Sequence, residues 1–540
     1  MTAQLPVSAL VDTPPQAKRS SYAEILRSTT LIGGSALVNV AIGIVRTKVM
    51  AVLLGPAGFG LLGVYSAIAD MARSLAGMGL QSSGVRQIAQ AVGANDAAQL
   101  ARTAVVLRRT VMALGMFGAL MLVLFARPIS TLTFGHDGHA DAVALLSVAV
   151  FFRLIADGQG ALIQGMRRIS DLAKISIGGA LFGTLASIPL VYYWREDGVV
   201  PSLVAVAAVS ALMSWHYSRK VVIEPCTWEG SQFKHEAFAL LKLGAAFMAS
   251  GLLMMGAAFV VRLIVLQQEG MAAAGLYQAA WTLGGLYVGF VLQAMGTDFY
   301  PRLVGVIGEH ANANQLVNEQ AQVSLLLAGP GVIATLTFAA AVIAVLYTAE
   351  FKAALDALRW ICLGMALRVI TWPMGYIVVA KNRQVLFFGA ELAWTVVNVG
   401  LSWWCVRAFG LAGAGIAFFG SYVFHGVVVY ALSRHLTGFR WSADNLRDGS
   451  FFLLSIALVF GGFYVLPTAW ATLWGSAVVL LSSGYSLRRL LGILDVDVAH
   501  DRVPQSLQKL RQRLLQKLSL KRVPAPSAAR ASTDVGTKAP

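Results

Sequence analysis

Residues 46–63 read RTKVMAVLLGPAGFGLLG, and residues 262–276 read RLIVLQQEGMAAAGL. Each stretch opens with an arginine inside an apolar run and continues to a Gly-Leu pair, Gly60-Leu61 in the first and Gly275-Leu276 in the second. The match extends outward at an offset of about 215 residues. Arg86 falls against Arg302 and Arg168 against Arg383, with Gly198 against Gly410 at a slightly shorter offset. Glycine, with 53 copies, aligns by chance. An arginine within a membrane-length apolar run does not, because inserting it costs about 2.5–3.5 kcal/mol. The repeat decides the fold. An offset that spans six helices predicts two six-helix units, and an even number of crossings returns the second unit in the same orientation as the first.

The rest of the chain has the composition such a fold requires. Of 540 residues, 57% are hydrophobic and 13% charged, and the mean hydropathy of +0.68 is too high for a domain solvated by water. Apolar runs of roughly 20 residues recur from Tyr22 to Leu491 with short polar breaks between them. The fold class expected is therefore an all-α membrane protein with about 14 transmembrane helices. They lie near 24–52, 58–80, 102–127, 140–166, 174–194, 199–217, 238–267, 272–297, 320–347, 353–380, 384–406, 410–432, 450–466 and 469–487. Twelve of these form two parallel six-helix lobes around a central cavity, and two extra C-terminal helices fall outside the repeat. No space is left for a large soluble catalytic domain.

The net charge of +16 does not indicate nucleic acid, because the cations sit in the breaks between spans and in the tail instead of forming one patch. Alternate breaks are basic: Arg86, Arg102, Arg108 and Arg109; Arg167, Arg168 and Lys174; Arg219, Lys220 and Lys234; Lys381 and Arg383; Arg434, Arg440 and Arg447. The positive-inside rule assigns these to the cytoplasm, with both termini on that side of a bacterial inner membrane. The expected organisation is a disordered cytoplasmic N-terminus (1–21), an N-terminal lobe (22–220), a cytoplasmic linker (221–236), a C-terminal lobe (237–440), two further spans (441–491) and a cytoplasmic tail (492–540). Leu507, Leu510, Leu514 and Leu518 recur at helical spacing among lysines and arginines, as in a basic amphipathic helix on an anionic leaflet. The first span lacks the short apolar core of a cleaved signal peptide and is expected to be retained.

Enzymatic signatures are missing. There is no Gly-Lys dipeptide and so no Walker A loop, no G-x-S-x-G elbow, and no completed H-E-x-x-H after His235-Glu236. Cys226, Cys362 and Cys405 are too far apart to suggest a metal site or disulfide framework, and His136 and His139 read as a solvated loop. No cofactor or metal is expected.

Charge within the apolar spans is the candidate machinery. Asp70 and Arg73 are three apart on the second span, and Arg153 and Asp157 four apart on the fourth, so each couple is able to pair on its own helix. Arg46, Lys48, Arg262 and Arg368 have no such partner and are expected to line water. Glu391 is open to two readings, pairing with Arg368 or titrating alone; His425 reads as a packing residue. Trp194, Trp215, Trp403 and Trp404, near span ends, read as interface anchors. A cavity walled by arginine suits a diphosphate or acidic sugar, since guanidinium stays charged when desolvated and binds phosphate oxygens in pairs. Arg46, Lys48, Arg73, Arg153, Arg262 and Arg368 are therefore the candidate anion-binding set, and Asp70, Asp157 and Glu391 the candidates for ion coupling.

The stretch 46–63, with Gly55-Pro56 and Gly58-x-Gly60 at a tight turn, resembles the start of the O-antigen and polysaccharide flippases (Wzx-type) of the multidrug/oligosaccharidyl-lipid/polysaccharide exporter superfamily. Asp298-Phe-Tyr-Pro-Arg302-Leu and Ala380-Lys-Asn-Arg383 are similar to that family's pattern, and the resemblance covers roughly residues 22–440. It implies two bundles around a cavity and ATP-independent alternating access. It also implies an undecaprenyl-diphosphate-linked oligosaccharide as cargo, moved from the cytoplasmic to the periplasmic face for O-antigen or exopolysaccharide synthesis. Membrane lipid, a polysaccharide polymerase and a chain-length regulator are the partners this reading implies. Two spans beyond the usual twelve keep open a lipid II (peptidoglycan precursor) flippase. A drug/cation antiporter on the same superfold is the other alternative, less suited to a first span bearing Arg46 and Lys48.

Overall fold

The computed structural model describes residues 16–94, 96–221 and 230–499, which form helices joined by short turns. The first seven helices are α1 (Gln16–Gly77), α2 (Leu80–Gly93), α3 (Ala97–Leu124), α4 (Ala126–Phe134), α5 (Ala140–Gly165), α6 (Ile169–Trp194) and α7 (Val199–Ser218). They are followed by α8 (Gly230–Val306), α9 (His310–Thr337), α10 (Ala339–Leu346), α11 (Leu355–Ala380), α12 (Gln384–Phe409), α13 (Leu411–Thr437), α14 (Ala443–Val465) and α15 (Thr468–Ala499). Two compact units are distinguished, residues 1–479 and 480–540, and in the second the described residues, 480–499, are helical. The amphipathic pattern at 502–522 and Cys226 lie outside the described residues.

Backbone features recur at the offset seen in the sequence. α1 turns at Gly55 (φ 63°) and α8 at Gly270 (φ 85°), 215 positions apart. Left-handed φ returns at Arg167 (56°) and Asn382 (55°), and at Arg195 (50°) and Gly410 (58°), again 215 apart. Helices α5 and α11, like α6 and α12, begin and end at the same spacing. The expected partnership of Gly198 with Gly410 is corrected by these backbones. Gly410 answers to Arg195, and Gly198 answers to Gly413. A Cβ on Gly198 would lie 2.2 Å from Leu190 O, and one on Gly413 2.0 Å from Cys405 O. Both glycines allow a helix to start against the end of the one before it.

Nine helical segments among the described residues are long and apolar enough to cross a membrane. Three of them, Gly34–Gly77, Ile169–Ser218 and Gly251–Gln293, contain 44, 50 and 43 residues. At about 1.5 Å per residue each is roughly twice as long as a 30 Å hydrocarbon core. Each is bent once, at Gly55, at Arg195–Gly198 and at Gly270. The breaks expected around 53–57 and 268–271 are therefore single-residue turns within α1 and α8. One glycine at positive φ redirects the chain without the polar loop that hydropathy detects. The short helices α2 and α4 fall in breaks expected between spans, and α10 lies within the span expected at 320–347.

The bundle has a kinked end, where Gly55 and Gly270 lie, and a basic end, where Arg167, Arg219, Lys381, Arg383 and Arg434 lie. The two halves of the repeat touch at both. Near the kinked end a Cβ on Gly60 would sit 2.2 Å from Met271 O, and one on Gly275 1.9 Å from Pro56 O, so α1 and α8 cross in backbone contact. Phe59 of α1 fits edge-on against Tyr347 and Phe351, each at 5.7 Å. Near the basic end Gly79 and Gly244 make the same kind of approach. A core of Phe299, Leu303, Val317, Ile377, Val429 and Phe439 joins α8, α9, α11 and α13 there. Helix α14 is held to α9 by Gln322 on the buried Asp448 carboxylate (2.8 Å) and by Asn445 on Asn318 (2.8 Å). It is held to α11 by the Arg359 guanidinium 4.2 Å over the Phe463 ring. Gly275→Leu is expected to lower the thermal midpoint of the detergent-purified protein by overpacking worth about 1–3 kcal/mol. Gly400→Ala, with open space at its Cβ, should leave the midpoint unchanged or raise it.

Candidate functional site

The part of α1 after its kink and the whole of α5 run in the same direction, from the kinked end to the basic end. Along α1 the acid comes first (Asp70, then Arg73), and along α5 the base comes first (Arg153, then Asp157). Laid side by side, these orders bring opposite charges to the same depth. Arg73 Nη1 donates to Asp157 Oδ2 at 2.7 Å, and Arg153 Nη1 donates to Asp70 Oδ1. The pairing within each helix that the spacings suggested is thus replaced by exchange across the α1–α5 contact. The side chains stay between 26% and 40% exposed, so the pairs look into open space instead of being sealed in packing.

Two further arginines lie in the same field. Arg46, on α1 before the kink, is within electrostatic range of Arg153, and Arg262, on α8, is within range of Asp70. Arg262 Nη2 donates to Gln278 Oε1, a contact that spans the Gly270 turn. The buried Nε atoms of Arg73 and Arg262 have no hydrogen-bond partner among the described residues. Four arginines against two aspartates leave two formal positive charges in the group. Toward the basic end the Arg73–Asp157 pair forms the charged wall of a cavity of about 190 Å³, whose other side is Met248 and Gly251 of α8. The cavity therefore lies between the two halves of the repeat.

The remaining candidates are elsewhere. Lys48 points to the kinked end, where its ammonium donates to the backbone carbonyls of Tyr347 and Ala344 at the C-terminus of α10. That position favours a cation, because the last carbonyls of a helix are unsatisfied and carry its negative pole. Arg368 is in the second half of the repeat with no acid within 4 Å among the described residues. Glu391 approaches His425 Nε2 of α13 (3.7 Å) and not Arg368. Tyr422 stands within electrostatic range of both Arg368 and Glu391. His425 is thus more than a packing residue: it faces a carboxylate, and its other ring nitrogen is buried without a partner among the described residues. His139 is not a solvated loop residue either. Its Nδ1 meets the Tyr65 hydroxyl at 2.9 Å and its ring stacks on Phe134 at 4.1 Å. Burial holds the His139 imidazole below its ordinary pKa, with His136 acting the same way and Glu196 opposing. Trp194, Trp215, Trp403 and Trp404 are at least 49% exposed, in keeping with their reading as interface anchors.

Sequence reasoning missed the cross-helix exchange and the part played by Gln278. No spacing marks a glutamine 16 positions beyond its arginine and across a turn.

The sequence profile of the family described as Polysaccharide biosynthesis protein matches residues 49–356. The chain is 24% identical over 410 residues to the Lipid III flippase of Escherichia coli (strain K12), spanning 74% of this chain and 95% of that protein. The Shigella flexneri protein of the same name matches to the same extent. Among solved structures, the chain resembles an inward-facing multidrug resistance MATE family transporter of the MOP superfamily, with TM-score 0.62, 15% identity, and 74% and 94% of the two chains covered. It also resembles the Lipid II flippase MurJ in an inward closed conformation, with TM-score 0.61, 15% identity, and 85% and 99% covered. The fold is the one these transporters share.

The exchanged pairs are tested by a charge swap. Asp70→Asn should destabilise the purified protein by about 1–3 kcal/mol, since it strands Arg153. Asp70→Arg combined with Arg153→Asp should recover most of that loss in thermal midpoint. Pairing within each helix requires the opposite, because the swap would then set two arginines together on α1 and two aspartates together on α5.

Proposed function

This chain belongs to the polysaccharide biosynthesis protein family, and from that premise we propose that it is a flippase for lipid-linked oligosaccharide. Its cargo is an undecaprenyl-diphosphate-linked repeat unit of O-antigen or exopolysaccharide, carried from the cytoplasmic to the periplasmic face of the inner membrane. The observation that carries the reading is the charge balance between the halves. Arg46, Arg73, Arg153 and Arg262 exceed Asp70 and Asp157 by two positive charges, and a diphosphate diester carries roughly two negative charges that arginine binds well when desolvated. The names of the bacterial Lipid III flippases support a cargo of this class.

In this reading the two halves are six-helix lobes that rock about the cavity, without ATP, while the polyprenyl tail stays in lipid. Counting the three double-length segments as two crossings each, and adding α5 and α15, supports about fourteen spans. The basic end faces the cytoplasm by the positive-inside rule. Arg46 and Arg262, which have no carboxylate within 4 Å among the described residues, bind the diphosphate. Arg73 and Arg153 trade their aspartates for cargo, which frees Asp70 and Asp157 to take up a proton or cation and so couple movement to an ion gradient. Glu391 with His425, and Arg368 beside them, form a second titratable group in the other lobe. A polymerase and a chain-length regulator would receive the product at the outer face. A lipid II cargo is the second reading, favoured by the larger share of this chain, 85%, that matches the lipid II flippase fold.

Deleting the gene should cause undecaprenyl-linked repeat units to accumulate on the cytoplasmic face, and wild-type protein should clear them. Arg46→Gln with Arg262→Gln should insert normally yet reduce surface glycan by about tenfold or more. Full surface glycan from the inserted double variant would refute the cationic site, and accumulation of lipid II alone would select the second reading.

A further inference from the structure

A second cavity, of about 180 Å³, lies on the outer side of the first half, between α3, α5 and α7. Its walls are apolar, from Leu107, Met112, Ile155 and Leu162, and its floor is made of small residues, Ala104 and Gly158. Gln159 contributes little polarity, because its Oε1 already accepts from Ser214 Oγ at 2.6 Å. One charged group borders the groove, Arg108, which is exposed and makes no ion pair or hydrogen bond with the described residues. Trp215 closes the rim and is 50% exposed.

The depth of these residues is informative. Trp215 is in the last turn of α7, and Gln159 and Leu162 are in the last two turns of α5, so the groove opens in the leaflet at the basic end. Met116, Phe117 and Leu120 of α3 and Leu212 of α7 continue its apolar surface toward the membrane centre, all more than half exposed. An aromatic side chain at the interface, an arginine at headgroup level and an apolar trough beneath them match the three parts of an anionic lipid.

We propose that this groove binds an anionic phospholipid of the basic-end leaflet, its phosphate on Arg108 and an acyl chain in the trough. The groove shares a wall with the central cavity: Val111 and Gly158 line both. A Cβ on Gly158 would lie 2.9 Å from Val111 Cγ2, so there is no slack in that wall. Behind it, Asp157 holds Arg73. Lipid in the groove therefore braces α3 against α5 where the crossed ion pairs sit. The site depends on the chain being a membrane protein and not on the identity of its cargo.

The test is native mass spectrometry of the purified full chain titrated with phosphatidylglycerol or phosphatidylcholine of matched acyl chains. Wild type should retain one phosphatidylglycerol with about tenfold preference over phosphatidylcholine. Arg108→Gln should abolish that preference, and Met112→Trp, which fills the trough, should reduce retention of both lipids at this site. Arg434→Gln, a basic-end arginine far from the groove, should behave as wild type. Equal retention of the two lipids by wild type, a preference unchanged in Arg108→Gln, or retention unchanged in Met112→Trp would overturn the proposal. So would an equal loss in Arg434→Gln, which would point to general surface charge.

Discussion

A charge within the membrane is costly unless something of opposite sign faces it, and for four charges of this protein two parallel helices with opposite orders of charge supply the partners. Asp70 and Arg73 on α1 meet Arg153 and Asp157 on α5, each acid against the other helix's base. A shift of one turn between the helices would set like charges at the same depth, so the pairs fix the register of the α1–α5 contact as well as neutralise it. Much of the first half follows from that register. The cavity takes its charged wall from Arg73 and Asp157, and α3 closes against α5 through Gly158 and Val111. Once the aspartates are committed, Arg46 and Arg262 are left with no carboxylate within 4 Å among the described residues.

The contact between the halves is of a different kind. At Gly60 with Gly275, and at Gly79 with Gly244, backbones meet with no side chain between them. At these two points the contact is close without interlocked side chains, whereas at the kinked end Phe59 also packs its ring against Tyr347 and Phe351. The two halves share their backbone plan but not their chemistry. The first holds crossed Arg–Asp pairs, whereas the second has Glu391 facing His425, with Arg368 nearby and the aromatic rings of Trp394 and Tyr422 around them. A duplicated scaffold with unequal charge leaves each half free to serve a different ligand.

The repeat was readable because arginines are scarce in apolar runs, so a few coincidences at one offset carried weight. Its finer alignment was not, since glycine fills several roles. Gly198 and Gly413 allow close packing, whereas Gly410 supplies a positive φ that Arg195 adopts in the first copy. The breaks at Gly55 and Gly270 were legible, but not that each is a single glycine at positive φ within one continuous helix instead of a loop. The charged residues of the site were all visible as charges in apolar spans, but their partners were not. Spacings of three and four satisfied the local pairing rule on both helices, and only packing reveals that α1 and α5 present those faces to each other. Lys48 looked equivalent to Arg46 two positions away, yet two positions on a helix turn a side chain through about 200°, which takes it to the end of α10.

The central claim is that two uncompensated arginines make the space between the halves selective for a diphosphate. Affinity of the purified protein for undecaprenyl diphosphate, undecaprenyl monophosphate and undecaprenol tests it most directly, since the three ligands share a tail and differ only in charge. The expected result is binding at least about tenfold tighter for the diphosphate than for the monophosphate, weaker still for the alcohol, with the ranking lost in Arg46→Gln/Arg262→Gln. Equal affinity for all three, or a ranking that survives in the double variant, would contradict it.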